Sequence, residues 1–576
     1  MKSQSGAPFA PLMQASQALV QQFFNALASG SDPATAATLR GAANPGTDSL
    51  ARFAELQSKL MQQHAQLWTS MLSRQQGAAS EPVAKPAPGD RRFSAAQWSA
   101  DPYYDYLRQS YLINARFAEE AVEALEVDDR TREKLRFTVR QMIEATSPSN
   151  FIATNPEVIR LAQETQGGSI SQGLKNLLDD VQKGHLTITD ESAFEVGRNI
   201  TVTEGAVVFE NEVMQLIQYS PLTTEVYAKP LLIVPPCINK FYILDLQPEN
   251  SFVRHAVEQG HTVFMVSWRN VKADQGRLTW DDYLEQGVLA PLDAVRDITK
   301  EKRINTLGFC VGGTLLSSAL GVLAARGEDK VESLTLLASM LDFSDTGELG
   351  LFVDESSVAA REATLGSGGV MPGKELAFVF SALRANDLVW SYVVNNYLKG
   401  QQPAAFDILY WNADSTNLPG PMYCSYLRNM YLTNSLREPG RLAMLGERID
   451  LASVKVPAYI LATREDHIVP WKTAYLSTGI LGGDKRFVLG ASGHVAGIVN
   501  PASKNRRSFW VGEGLPVDPQ AWLDAAKEVP GSWWRDWAAW LATHGGAKRK
   551  ARKTLGNAAH KPLEPAPGRY VREKAS

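Results

Sequence analysis

INTLGFCVGGTLLSSALGVLAA, residues 304–325, sets one cysteine between a short apolar run and a longer run of small and apolar residues. The first part is typical of a buried strand and the last part of a helix, so Cys310 lies at the turn between them. Gly308 and Gly312 flank it in the spacing G-x-C-x-G. Glycines are needed there because a Cβ at either position would collide with the neighbouring strand or helix. We call this junction, residues 304–325, the elbow; it predicts an exposed sulfur at a helix N-terminus, where negative charge is favoured.

The segments around the elbow share its alternation of apolar runs and helical stretches from about residue 187 onward. Continuous apolar runs of this kind indicate a mainly parallel sheet with helices on both faces. With the elbow, they predict an α/β class fold, an α/β-hydrolase catalytic domain in which cysteine replaces the usual serine. The runs are AVVFENEVMQLIQY (206–219), LLIVPP (231–236), TVFMVSW (262–268), ESLTLLAS (332–339), AYILATR (458–464) and KRFVLG (485–490).

The remainder of the chain divides by composition. Residues 1–90 are rich in Ala and Gln and end in a Pro- and Gly-containing stretch, which predicts a helical, partly mobile segment and a linker. Helical spacing over 91–186 predicts an α-helical N-terminal domain, and 187–576 would form the catalytic domain. More than a hundred residues separate ESLTLLAS from AYILATR. Because loose loops of that length are rare, we expect an aromatic-rich cap insertion over about residues 343–455.

Composition and charge narrow the classes of function. The 58 basic and 62 acidic side chains leave a formal charge of −4, which gives no general attraction for nucleic acid. The three cysteines, Cys237, Cys310 and Cys424, have no metal-ligand spacing and cannot form a disulfide framework, which suits a reducing compartment. No run of about 18 apolar residues occurs. We therefore expect a cytoplasmic protein without a membrane span, a metal site or a nucleic-acid partner.

A nucleophile at such an elbow needs an acid and a histidine later in the chain, in that order. His494 lies in VLGASGHVAGIV (488–499), a glycine-rich loop that follows the last apolar run. Asp466 lies in ATREDHIVP (462–470), at the end of the preceding run. We predict that Cys310 is the nucleophile, His494 the base and Asp466 the acid, with Glu465 as the neighbouring alternative.

Attack on a carbonyl also requires N–H groups that stabilise the oxyanion. On this fold one donor is the residue after the nucleophile, here Val311, and another comes from a loop after an earlier strand. That loop is IVPPCINKFYILDL (233–246), in which Ile238 or Cys237 can present its N–H. We predict Val311 and Ile238 as the oxyanion donors. Cys237 and Cys424 are more simply interpreted as small buried residues.

Longer motifs, quoted at the end of this paragraph, carry a family resemblance. From about Tyr103 onward the chain resembles the class I polyhydroxyalkanoate synthases, which are poly(3-hydroxyalkanoate) polymerases. One departure is Ser425, which follows Cys424 where an aromatic residue is common in the family. The motifs are PPCINKFYILDLQPENS (235–251), VSWRNV (266–271), GFCVGGT (308–314), YWNADSTNLPGPMYC (410–424), REDHIVPW (464–471) and GASGHVAGIVNP (490–501).

The resemblance implies polymerisation of (R)-3-hydroxyacyl-coenzyme A, with a short acyl chain such as 3-hydroxybutyryl, into a polyester. Cys310 would hold the acyl group as a thioester after release of coenzyme A. His494 would take the thiol proton and later help deprotonate a 3-hydroxyl, while Asp466 would orient His494 or act on the hydroxyl. The coenzyme A thioester is a substrate, so no cofactor is implied. The resemblance also implies a homodimer associated with polymer granules, with granule-coating proteins as candidate partners.

Two other functions stay open at the level of the sequence. A cysteine-dependent thioesterase or hydrolase would use the same three residues, because they do not distinguish water from an alcohol as acceptor. A non-catalytic granule-organising protein could retain the elbow, although a complete set of three residues argues against it. A polymerase needs a dry site, and aromatic residues of the cap could form a lid or simply the core of the cap. These aromatic residues are Trp390, Tyr392, Tyr397, Tyr410 and Trp411.

Two stretches near the C-terminus have less specific patterns. In GSWWRDWAAWLA (531–542), the spacing of Trp533, Trp537, Trp540 and Leu541 predicts an amphipathic helix whose aromatic face packs on the sheet. Binding to a polymer surface is the alternative. KRKARK (548–553) is most simply a solvated basic tail, and attraction to the phosphates of coenzyme A is its alternative.

Overall fold

The computed structural model describes residues 47–75 and 80–575, which form two compact units. The helical unit contains the described residues up to Leu186 together with Arg384–Pro403. The sheet unit contains Thr187–Leu383 and the chain from Ala404 onward. Our predictions for residues 1–46, and for the part of the linker at 76–79, lie outside the described residues.

Helices of the helical unit begin at side chains that cap their first turns. The carboxylates of Asp101 and Asp128 and the amide of Asn155 accept hydrogen bonds from backbone N–H groups that would otherwise lack partners. A small core of Leu67, Met71, Tyr106 and other apolar residues joins the first helix to the third. The helices are α1 (Thr47–Gln75), α2 (Gln97–Ala100), α3 (Pro102–Glu123), α4 (Asp129–Ala145), α5 (Pro156–Glu164) and α6 (Gly168–Lys183).

Residues 384–403 add a second, irregular helical segment to this unit, with π-helical turns at Asn386–Trp390 and Val393–Leu398. The Tyr397 hydroxyl donates to Asp180 over 2.7 Å, and the Asn176 amide donates to the Asn396 carbonyl over 2.9 Å. Gly173 of α6 permits this contact, since a Cβ there would lie 1.9 Å from the Tyr397 carbonyl oxygen. Part of the predicted cap, including three of its five quoted aromatic residues, therefore folds with the helical unit.

The sheet unit is built on one large mixed sheet, with eleven strands in the described part of the chain. Their order is β15-β14-β13-β12-β7-β6-β4-β5-β2-β1-β17. The strands from β13 to β5 run parallel, and antiparallel strands extend both edges. The strands of the unit are β1 (Gly205–Glu210), β2 (Met214–Tyr219), β3 (Glu225–Tyr227), β4 (Leu231–Val234), β5 (Val263–Trp268), β6 (Ile304–Phe309), β7 (Val331–Leu337), β8 (Val370–Met371), β9 (Leu418–Pro419), β10 (Ala443–Met444), β11 (Glu447–Arg448), β12 (Ala458–Thr463), β13 (Lys485–Gly490), β14 (Ser508–Val511), β15 (Lys527–Pro530), β16 (Lys548–Lys550) and β17 (Glu564–Pro565).

Helices cover both faces of this sheet, which explains the apolar runs in the sequence. Every residue of β4, β5, β6 and β12 is buried, because each of these strands has a hydrophobic cluster on both sides. All the predicted runs form strands, and the predicted α/β-hydrolase arrangement is confirmed. The helices are α7 (Phe252–Glu258), α8 (Trp280–Leu284), α9 (Ala290–Thr299), α10 (Val311–Ala325), α11 (Glu355–Leu365), α12 (Gly373–Leu383), α13 (Asp407–Ala413), α14 (Gly420–Tyr426), α15 (Trp471–Ile480), α16 (His494–Ile498), α17 (Pro519–Ala525) and α18 (Trp534–Thr543).

The tryptophan-rich stretch forms α18, and its aromatic face packs on the sheet as predicted. Trp533, Trp537 and Leu541 are fully buried, and the Trp537 indole donates to the Thr335 hydroxyl of β7 over 3.1 Å. The ring of Phe252 lies 4.5 Å from that of Trp537. This face is therefore occupied inside the unit and is not available to a polymer surface.

The prediction of a solvated basic tail is correct only in part, because Lys548, Lys550 and Lys553 are exposed but the segment is not a free tail. Lys548–Lys550 form β16, which pairs with β3, and β17 pairs with β1 at the edge of the large sheet. Arg549 forms an ion pair with Glu301 and also donates to the Ala228 carbonyl, each over 2.9 Å. A distant partner thus neutralises Arg549, whose charge looks unpaired in the sequence. No helix among the described residues is long and apolar enough to cross a membrane.

Candidate active site

The elbow holds Cys310 in a backbone conformation that side chains rarely adopt. Its φ and ψ are 53° and −129°, and its N–H donates to the Leu337 carbonyl over 2.9 Å. Both flanking glycines are required because neighbouring backbone atoms approach them closely. A Cβ on Gly308 would lie 2.4 Å from the Gly313 Cα, and one on Gly312 would lie 2.3 Å from the Val234 carbonyl oxygen. A strained, over-determined turn of this kind is a common feature of functional sites.

The predicted acid and base form a buried pair at neighbouring strand ends. His494 Nδ1 lies 2.7 Å from Asp466 Oδ2, and both side chains are almost fully buried. Asp466 is itself fixed, because Thr463 donates to Oδ2 and the N–H groups of Ile468 and Val469 donate to Oδ1. Of the two acids considered from the sequence, Asp466 is the one that contacts His494, whereas Glu465 is exposed.

Cys310 interacts with the same histidine. Burial by itself would lower the pKa of His494, but the charges of Asp466 and Cys310 and the side-chain hydrogen bonds to both raise this pKa to about 10. The His494 ring also stacks against Phe309, with 5.4 Å between ring centroids. The structure therefore brings Cys310, His494 and Asp466 into one continuous line of contacts, in an environment that favours the imidazolium.

The other two cysteines have different surroundings. Burial raises the pKa of the Cys237 thiol to about 12, and burial also raises the pKa of Cys424. Both side chains therefore stay protonated at neutral pH, unlike an activated nucleophile. Their environments fit the interpretation of small buried residues.

The predicted oxyanion donors lie on segments that touch each other. Val311 is the first residue of α10, so its N–H has no partner within the helix. Gly312 packs against the loop that leaves β4, since a Cβ there would also lie 2.5 Å from the Pro235 carbonyl oxygen. Among the described residues, neither the Val311 N–H nor the Ile238 N–H has a hydrogen-bond acceptor. Both N–H groups therefore keep their hydrogen-bonding capacity within this part of the chain.

Sequence reasoning missed a group of aromatic residues beside the elbow, which we call the aromatic cluster: Phe343, Tyr426 and Tyr431. Ring centroids lie 5.2 Å apart for Phe343 and Tyr431, and 5.3 Å apart for the two tyrosines. Burial and the charge of Cys310 both raise the pKa of Tyr431. The available signal was the motif MYCSYLRNMYL, but a π-helical turn at Leu427–Leu432 gives the tyrosines a spacing of five that α-helical periodicity overlooks.

Two of the aromatic residues considered for a lid or for the core of the cap have a supporting role in this unit. Trp411 is buried, and its indole donates to the Lys240 carbonyl over 2.7 Å. The Tyr410 ring lies 5.4 Å from that of Phe194. Trp411 therefore braces the loop after β4, whereas Trp390, Tyr392 and Tyr397 lie in the helical unit.

Comparison with known proteins gives two family-model matches. Residues 89–256 match the N-terminus of poly-beta-hydroxybutyrate polymerase (PhaC), and residues 230–501 match the alpha/beta hydrolase fold. Poly(3-hydroxyalkanoate) polymerase subunit PhaC of Cupriavidus necator is 54% identical over 543 residues, which cover 92% of this chain and 91% of the relative. Poly(3-hydroxyalkanoate) polymerase of Methylorubrum extorquens is 45% identical, with 90% and 87% covered. The chain belongs to the poly(3-hydroxyalkanoate) polymerase family.

Proposed function

We propose that this chain polymerises (R)-3-hydroxyacyl-coenzyme A into a polyester and releases coenzyme A, through an acyl thioester on Cys310. Membership of the polymerase family supports polyester synthesis. The observation that carries the mechanism is the line of contacts from Asp466 through His494 to the cysteine at the strained elbow. As class I resemblance implies, we expect a preference for short acyl chains such as 3-hydroxybutyryl.

In the first step, the Cys310 sulfur attacks the thioester carbonyl of the substrate. His494 accepts the thiol proton and passes it to the sulfur of coenzyme A as that group leaves. The N–H groups of Val311 and Ile238 donate to the oxyanion of the tetrahedral intermediate. One thioester replaces another, so the acyl group stays reactive toward an alcohol.

In the second step, the hydroxyl of a 3-hydroxyacyl unit attacks the carbonyl of the acyl thioester. His494 takes the hydroxyl proton and returns it to the sulfur of Cys310, which leaves as the ester forms. Because Nδ1 of His494 is engaged by Asp466, its Nε2 is the nitrogen that serves both steps. Asp466 then orients the imidazole and stabilises its charged form. The cycle lengthens the polyester by one unit and requires no cofactor.

Water competes with the hydroxyl as an acceptor, so the surroundings of the sulfur decide between polymer and free acid. The aromatic cluster supplies a low-polarity wall near Cys310. Such a wall disfavours water and accommodates an ester chain. This observation favours the polymerase over the alternative, a cysteine-dependent thioesterase or hydrolase that uses the same residues.

The test is incubation of the purified full chain with 3-hydroxybutyryl-coenzyme A. Coenzyme A release is followed with a thiol reagent, and polymer is followed by turbidity and by recovery of insoluble polyester. Release together with polymer is the expected result. Release with only free 3-hydroxybutyrate would support the hydrolase, and no release would contradict both enzymatic functions.

The remaining expectations concern assembly and location. We expect a homodimer, which light scattering coupled to size-exclusion chromatography measures directly. We also expect the protein to collect on polymer granules in the cytoplasm, with granule-coating proteins as candidate partners. Fluorescence microscopy of a tagged chain in polymer-forming cells tests this location.

A further inference from the structure

The loop that leaves β4 is held by hydrogen bonds to its carbonyl groups. We call residues 235–240 the donor loop. The Trp268 indole donates to the Pro235 carbonyl over 2.9 Å, and the Trp411 indole donates to the Lys240 carbonyl over 2.7 Å. Between these two anchors, the carbonyl groups of the loop accept side-chain hydrogen bonds from one described residue, Thr416.

Thr416 engages the centre of the donor loop. Its hydroxyl lies 2.6 Å from the carbonyl oxygens of both Cys237 and Ile238, so its single proton has two acceptors within reach. Its backbone N–H also donates to the Ile238 carbonyl over 3.1 Å. The residue is 1% exposed, so no solvent molecule can easily replace the hydroxyl. Within the part of the chain that the structure describes, this hydroxyl is the donor that engages the Cys237 carbonyl.

Because the peptide bond is planar, this contact also sets the direction in which the Ile238 N–H points. In a trans peptide the C=O and the following N–H point to opposite sides. Fixing the Cys237 carbonyl toward Thr416 therefore aims the Ile238 N–H away from Thr416. The elbow packs against the donor loop at Pro235, and the Ile238 N–H has no acceptor among the described residues.

We propose that Thr416 is a positioning residue, whose hydroxyl orients the Cys237–Ile238 peptide so that the Ile238 N–H stabilises the oxyanion. The role rests on the proposed function, because it requires an acyl group on Cys310. Thr416 does not touch the reacting atoms. It lies outside the elbow motif and outside the three contact-linked residues, on the segment between α13 and β9.

The test compares Thr416→Val with Thr416→Ser in the full chain, using coenzyme A release from 3-hydroxybutyryl-coenzyme A. Valine keeps the shape but removes the donor, which frees the peptide to rotate. We expect kcat to fall about 10- to 100-fold, somewhat less than the loss of a whole oxyanion donor, with KM changed less than about threefold. Serine retains the hydroxyl and should restore kcat to within about threefold of the parent chain.

The matched control is Thr189→Val. Thr189 is fully buried, and its hydroxyl also lies near two backbone carbonyls, those of Ala404 and Phe406, at 3.1 and 3.3 Å. Both valine variants should lower the melting temperature to a similar degree, whereas Thr189→Val should leave kcat within about threefold. An equal loss of kcat in the two variants would overturn the proposal, because the effect would then reflect general destabilisation.

A second measurement separates this proposal from the proposed function. Alkylation of Cys310 by iodoacetamide forms no oxyanion, so Thr416→Val should be alkylated at the parent rate while its turnover falls. Slowed alkylation in proportion to turnover would overturn the positioning role. If alkylation of Cys310 in the parent chain leaves its activity intact, the acyl thioester route fails, and the role of Thr416 fails with it.

Discussion

The elbow and the C-terminal segment, residues 531–575, hold their places in opposite ways. The elbow depends on a local spacing, because Gly308 and Gly312 lie two residues from Cys310 and allow its backbone to approach the surrounding elements closely. The C-terminal segment depends on distant partners, such as Glu301 for Arg549 and Thr335 for Trp537. The comparison teaches that local spacing can reveal chemistry and an amphipathic helix, whereas non-local pairing determines where a stretch with little local pattern, such as β16, packs.

The largest expected effect is at the elbow. Cys310→Ala should lower coenzyme A release from 3-hydroxybutyryl-coenzyme A by about 10⁴-fold or more, because no acyl thioester can form. The free energy of unfolding should change by at most about 2 kcal/mol, since the half-buried thiol contributes little packing but its interaction with His494 is lost. Steady-state kinetics and urea unfolding of the same preparation measure both quantities.

Cys424→Ala is the matched control for this prediction. Cys424 is buried in α14 and its pKa is raised by burial, so its loss should cost stability and leave turnover within about threefold. Substantial turnover in Cys310→Ala would contradict the assignment of the nucleophile. Loss of turnover in Cys424→Ala at unchanged stability would contradict the distinction between the two cysteines.

The second prediction addresses the C-terminal segment. Trp537→Ala should lower the free energy of unfolding by about 3–5 kcal/mol, because it removes a fully buried side chain and leaves a cavity between α18 and the sheet. The specific activity of the folded protein should stay within about threefold. Chemical unfolding followed by tryptophan-independent circular dichroism measures the change.

Trp540→Ala provides the comparison within the same helix. Trp540 is half-buried and contacts Tyr459 and His544, with ring centroids 5.3 and 4.6 Å away. Its loss should cost clearly less stability than the loss of Trp537. Equal costs would show that the burial of the aromatic face does not determine the stability of this segment.

Much of the sheet and the contact-linked residues could be predicted because both depend on short-range patterns. Strands buried on both faces leave continuous apolar runs, and all of the predicted runs form strands. Cys310, Asp466 and His494 each follow a strand in the order that the fold requires, and the structure brings them together. The order along the chain was sufficient because parallel strands direct their carboxyl ends to one edge of the sheet.

Long-range packing could not be predicted in the same way. Trp390, Tyr392 and Tyr397 look like cap residues, but sequence proximity does not show that residues 384–403 pack against α6. The aromatic cluster was missed because a π-helical turn alters the spacing of Tyr426 and Tyr431. In the first case, the segment that residues 384–403 contact is remote in sequence. In the second case, the helix departs from the regular α-helical spacing.

The third prediction concerns the electrostatics of the paired residues. The pKa of His494 is raised from 6.5 to about 10 in the folded protein, so its interactions with Asp466 and Cys310 stabilise the fold fully below pH 6.5. This contribution declines as the pH rises toward 10. The difference in unfolding free energy between the parent chain and His494→Gln should therefore shrink over this range, by a few kcal/mol at most.

Urea unfolding at several pH values between 6 and 10 measures this difference. Asp466→Asn, which removes the principal opposite charge, should flatten the same pH dependence. A difference that grows with pH would contradict a stabilised imidazolium and would indicate that His494 is held neutral at its strand end.

The smallest expected effect tests the non-local pairing of the basic strand β16. Arg549→Met removes one hydrogen bond to the Ala228 carbonyl and an ion pair with Glu301 whose side chains are 37% and 24% exposed. Solvent screening limits the ion pair, so the variant should lose about 1 kcal/mol of unfolding free energy. Lys553→Met removes the same charge from an exposed side chain and should lose less than about 0.5 kcal/mol.

The KM for 3-hydroxybutyryl-coenzyme A separates the two interpretations of this strand. If the basic residues serve only the fold, both variants should keep the KM of the parent chain, and raising the salt concentration should leave the difference between them small. An increase in KM that depends on salt in both variants would instead support attraction to the phosphates of coenzyme A. Even then, a loss of stability in Arg549→Met but not in Lys553→Met would measure the pairing of Arg549 with Glu301. Lys553 has no such partner among the described residues.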